Sequence, residues 1–108
     1  MPRAIRYHRR FAQDLARQLQ WLRANRPPNE VAALHSALRS FRRRIVMHPA
    51  IGEETERRGT ISWRVFPLSA RLPYLVWYFY DVADERAPVS LVLLVHEAQD
   101  RAAFDPPE

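Results

Sequence analysis

Residues 91–101, LVLLVHEAQDR, run five aliphatic side chains straight into His96, Glu97, Asp100 and Arg101, with no Gly or Pro between. A strand built for burial therefore ends in titratable groups. Histidine exchanges a proton near neutral pH, whereas Arg stays charged and offers a planar fork to carboxylate or phosphate. Lys is absent and all 17 basic residues are Arg, so proton transfer falls to His, Tyr or a carboxylate. His8, His35 and His48 make no metal-ligand spacing with one another and read as structural or solvated. Gly52 and Gly59 are too few for a glycine-rich phosphate loop, and no G-x-S-x-G or H-E-x-x-H arrangement occurs. Neither a metal nor a cofactor is expected.

Charge is segregated along the chain. Residues 1–50 carry eleven Arg against Asp14 and Glu30, while residues 51–108 carry six Arg against ten acids. A basic first half suits an acidic or polyanionic partner. The absence of Cys excludes a disulfide framework or thiolate metal site and fits a cytosolic protein. The N-terminus has no apolar signal region, and the longest hydrophobic stretch, residues 72–80, is interrupted by Pro73 and too short to span a bilayer. These features predict a cytoplasmic protein of one domain, residues 1–108, with 103–108 as a frayed tail.

The elements that must position these groups follow from periodicity. Residues 3–7 form a short first strand. Phe11, Leu15, Leu19 and Leu22 then recur at helical spacing, Pro27-Pro28 breaks the pattern, Asn29 caps a second helix, and Val31, Leu34, Leu38, Phe41 and Ile45 form its stripe. Residues 53–59 are charged and aperiodic, a surface loop. Period-two segments follow at 61–66, 74–80 and 89–95. The result is an α+β fold, β-α-α-β-β-β, with a helical hairpin on one face of a mostly antiparallel sheet. Regular alternation puts Val89, Leu91, Leu93 and Val95, with Ile61, Trp63 and Val65, under the helices. Arg64, His96 and the tyrosines Tyr74, Tyr78 and Tyr80 are expected together on the open face. Trp63 and Trp77 read as core, whereas Trp21, beside Arg17, either anchors a partner or packs under the first strand.

With these elements in place the chain resembles the RelE/ParE superfamily of type II toxin–antitoxin toxins. The resemblance runs through the short first strand, the Arg-rich hairpin, HPAIG, WRVFPLSARLPYLVWYFYDV and VSLVLLVHEAQDR. It is carried by an Arg in the second strand (Arg64), an Arg-x-x-Tyr entry to the third (Arg71 and Tyr74), and a last strand ending in His96 before Asp100 and Arg101. The resemblance implies a growth-inhibiting toxin held inactive by a cognate antitoxin protein. RelE-like relatives cleave messenger RNA on the ribosome; ParE-like relatives poison DNA gyrase without a comparable nuclease site.

For RNA cleavage, the resemblance implies His96 as proton-transfer group, with Arg64 and Arg71 stabilising phosphate charge. The chain departs from many RelE-like nucleases in having no Lys, and from members of both branches in lacking an Arg before the terminal His. Nuclease, gyrase poison and degenerate antitoxin binder all remain open at this stage. The resemblance further implies an antitoxin segment wrapping the hairpin, with Arg39, Arg42, Arg43 and Trp21 as contacts.

Overall fold

The computed structural model describes residues 2–69 and 72–96. Strand β1 (Ile5–Tyr7) leads into helices α1 (Arg9–Asn25) and α2 (Pro28–Met47), a 3₁₀ turn (Pro49–Ile51), and strands β2 (Glu53–Arg58), β3 (Ile61–Pro67), β4 (Tyr74–Asp81) and β5 (Val89–His96). The five strands form one sheet in the order β1-β5-β4-β3-β2. Among the described residues β1–β5 is the one parallel pair; the other neighbours are antiparallel. The expected hairpin-on-sheet architecture is thus observed, with one strand more than expected.

Both helices form where apolar spacing placed them. In α1, Phe11 and Leu22 are buried, and the imidazole of the N-cap His8 accepts from the Arg10 amide through Nδ1. In α2, Leu34, Leu38, Phe41 and Ile45 are buried. This helix starts at Pro28, one residue before the expected Asn29 cap, with Pro27 as its N-cap. Proline suits the first helical position because the amide it lacks has no acceptor there.

Residues 53–59 are not a loop. Glu53–Arg58 form the edge strand β2, paired with β3 and bulged at Thr55. Its side chains are mostly exposed, so no hydrophobic alternation betrays it, and charges on such an edge discourage pairing with another chain. Gly59, at φ 60°, opens the turn into β3 in a conformation that suits Gly.

For β3, β4 and the end of β5 the helices cover the opposite face from the one expected, whereas Val89 and Leu91 at the start of β5 lie beneath them as expected. Tyr74, Val76, Tyr78, Tyr80, Val89, Leu91 and Leu94 pack with Phe11, Leu34, Leu38, Phe41 and Ile45. Trp63, Val65, Leu75, Trp77, Val92, Leu93 and Val95 form a second buried cluster on the other side, so the two tryptophans are core residues as expected, although not beneath the helices. Strand β5 crosses between the clusters because Trp77 pairs with Leu93 while Tyr78 pairs with Leu91, leaving Val92 as an extra residue. At such a bulge two successive side chains share one face, and alternation resumes shifted by one.

Candidate functional site

Strand β3 places Arg64 at the corner where α2 gives way to β2. Its guanidinium donates to the carbonyls of Ala50 at 3.0 Å and Gly52 at 2.6 Å, and its Nε donates to the Ser62 hydroxyl. Ser62 in turn donates to Glu54 Oε1, which also accepts from Arg57. The Ser62 hydrogen bond, followed by that from Arg57, holds the Glu54 carboxyl below its ordinary range. On β4, Tyr78 accepts from the Gly52 amide at 2.8 Å and donates to the Pro49 carbonyl at 2.7 Å. Burial is the main cause that pushes the Tyr78 hydroxyl up to about 12.

Gly52 is required by this close approach. A Cβ there would stand 2.6 Å from the Tyr78 hydroxyl and 2.8 Å from the Val65 carbonyl. Together, Arg64 and Tyr78 lock the HPAIG connection onto the sheet.

His96 ends β5 at a different corner. It pairs with Tyr74, and the two rings meet edge to face with centroids 5.5 Å apart. With Arg17, Gln18 and Trp21 of α1 it lines a cleft of about 350 Å³. Trp21 is 54% exposed, which removes burial under the first strand as its role. Below it, Asp14 binds Arg17 at 2.7 Å and accepts from the Leu94 amide, covering part of the strand edge that the three-residue β1 leaves bare. Tyr74 donates to Gln18, and burial, then the Glu30 charge, raises its hydroxyl pKa.

Arg64 and His96 do share one face of the sheet, but it is the helix-covered face, and they are not brought together. Arg64 pairs with Tyr78 and His96 with Tyr74, on opposite sides of β4. That register separates them by roughly 13 Å along the strand and roughly 10 Å across two strand spacings. Arg71, Asp100 and Arg101 lie outside the described residues. No group of acids and histidines suited to a metal occurs among the described residues.

The expected partner-binding residues spread along the hairpin. Arg39, Arg42 and Arg43 are exposed near the end of α2, and Arg42 donates to the Tyr7 hydroxyl. Trp21 lies toward the inter-helix turn. Between the helices runs an apolar groove of about 370 Å³, whose walls include Phe11, Leu15, Leu19, Leu38 and Arg42. This groove and the Tyr78–Gly52 lock escaped the sequence reading. The scarcity of Gly in the chain was a usable signal for the lock, since a lone Gly between helix and strand often marks close backbone approach.

No helix among the described residues is long and apolar enough to cross a membrane. A family model described as the ParE toxin of type II toxin–antitoxin system, parDE, matches residues 5–101. No curated protein and no solved structure matches the chain.

Proposed function

This chain belongs to the ParE toxin family of type II toxin–antitoxin systems, and from that premise we propose that it arrests growth in the cytoplasm by binding DNA gyrase, with no RNA-cleaving step. One observation carries the proposal. Arg64, the cation assigned to a cleavage site, is committed to two backbone carbonyls and stands far from His96. A phosphate clamp must instead present its fork to substrate, within reach of the proton-transfer group.

The family implies an antitoxin partner, and the hairpin suits one. The apolar groove would receive hydrophobic side chains of an acidic segment, with Arg39, Arg42 and Arg43 at one end and Trp21 near the other. Exposed ion pairs contribute little individually, so the groove would supply most of the affinity, and the complex would tolerate salt.

The alternative is mRNA cleavage by His96 with Arg64 and Arg71, and the common face of Arg64 and His96 favours it. Supercoiling and mRNA integrity measured minutes after induction separate the two. We expect loss of supercoiling with intact transcripts, and His96→Ala should remain toxic. Transcript cleavage with normal supercoiling would overturn the gyrase reading, and no growth arrest at all would leave a protein kept for antitoxin binding.

A further inference from the structure

On the sheet face away from the helices, Trp63, Val65, Leu75, Trp77, Val92, Leu93 and Val95 are each 6% exposed or less. All seven, and the partly buried Ile61 and Phe79 packed against them, belong to β3, β4 and β5. Side chains of one sheet shield one another's flanks, but their tips stay bare unless a second layer lies over them. Helices α1 and α2 do not supply that layer, because their buried residues pack with the opposite face. Arg58 of β2 stands over Trp63, 5.9 Å from its ring centroid. It shields one edge and leaves the β5 side chains, two strand spacings or roughly 10 Å away, without cover. We propose that residues 97–108 fold back across this face and form its outer layer, a role separate from the antitoxin contacts of the helical hairpin.

Two observations point to that occupant. The first is the burial itself, which belongs to a single chain, so the cover comes from within it. The described part of the chain ends at His96, the last residue of β5, and its neighbour Val95 is already in the buried cluster. Twelve residues, 97–108, follow directly. If about four reverse the direction, the other eight or so reach roughly 26 Å when extended, well beyond the roughly 10 Å from β5 to β3. Met1 and residues 70–71 are too few to roof three strands.

The second observation is polar. Trp77 Nε1 is buried and has no hydrogen-bond partner among the described residues. An indole nitrogen only donates, and a buried donor is ordinarily satisfied, so an acceptor is owed to this face. The residues paired with Trp77, Val65 on β3 and Leu93 on β5, have hydrocarbon side chains and supply none. Residues 97–108 offer what an apolar face with one lone donor requires: Ala98, Ala102, Ala103 and Phe104 as apolar groups, and backbone carbonyls as acceptors. A carbonyl suits the indole better than Asp100 or Asp105, since burying a charge costs more than burying a peptide oxygen. The two alanines let the backbone come close, and the Phe104 ring covers the tryptophans. Docking of Phe104 would hold in place a stretch otherwise expected to fray.

Proton NMR of the full chain tests the arrangement. We expect Overhauser contacts between the Phe104 ring and the indole of Trp63 or Trp77, and a slowly exchanging Trp77 Nε1 proton. Phe104→Ala should speed that exchange about tenfold, and ending the chain at His96 should speed it further. Val82→Ala, which trims an exposed apolar side chain elsewhere, should change it less than about twofold.

The proposal fails if no contact joins residues 97–108 to this face, if Phe104→Ala leaves the exchange unchanged, or if the chain ended at His96 keeps the full protection. Protection that falls on dilution would assign the face to a second copy of the chain, and protection absent until a partner protein is added would assign it to that partner; either result overturns the proposal. If the shortened chain does not fold, the Overhauser contacts of the full chain and the Phe104→Ala exchange rate still decide the matter.

Discussion

At one corner of the helix-covered face, Arg64, Ser62 and Tyr78 give their polar atoms to one another and to the backbone of the HPAIG connection. At the other, Arg17, Trp21 and His96 border an open cleft, and Asp14 and Gln18 fasten helix to sheet there by side chain. Both corners contain a residue that sequence alone nominated for catalysis. The comparison shows that an Arg acquires its duty from what its polar atoms already hold. The first corner is built to keep shape, and the second has surface to spare for a partner.

Four substitutions test that division, and denaturant unfolding reads each of them. The largest loss is expected for Gly52→Ala, roughly 3 kcal/mol, because neither the Tyr78 hydroxyl nor the Val65 carbonyl can retreat without breaking the lock. Arg64→Ala should cost about 2 kcal/mol by leaving two carbonyls without their charged donor. A variant as stable as the parent would return Arg64 to the pool of residues available for substrate.

Tyr78→Phe should cost about 1.5 kcal/mol at neutral pH, since the Gly52 amide and Pro49 carbonyl both lose their partner. It also has a pH signature. The Tyr78 hydroxyl titrates near 10.0 when unperturbed and is raised to about 12 in the fold, so the folded protein holds this proton more tightly than the unfolded chain. Its contribution is complete below pH 10.0 and is lost as pH climbs toward about 12. Tyr78→Phe should lack that part of the alkaline decline. Trp21→Ala, at the open corner, should change stability by less than about 0.5 kcal/mol, and a larger loss would make that corner structural too.

The helices were legible because Phe11, Leu22, Leu34, Leu38, Phe41 and Ile45 all keep helical spacing and all face the core. The sheet was legible in order but not in facing. Trp63 and Val65 alternate as a buried strand should, yet the tyrosines of β4 rather than these residues lie beneath the helices. Tyrosine serves as core there because hydroxyl partners await it, Gln18 for Tyr74 and Pro49 for Tyr78, and such partners belong to distant segments. Strand β2 was hidden because exposed charges on both faces leave no periodic trace.

Arg64 and His96 share a side as expected, on the helix-covered rather than the open face, because two departures compensate. Strands β3 and β4 present the reverse face to the helices, and the extra residue in β5 turns its end over as well. Neither departure has a signal in a run of aliphatic residues, since any register buries them. The distance between the two side chains depends on register too, which is why a common face did not amount to a common site.

The doubled step at Val92 and Leu93 also means that β5 holds one residue of slack between Leu91 and His96. Loss of a single codon within that stretch would straighten the strand while leaving each end on its present side, with the imidazole still facing Tyr74. An added codon has no such reserve to draw on, so this strand should accept shortening more readily than lengthening.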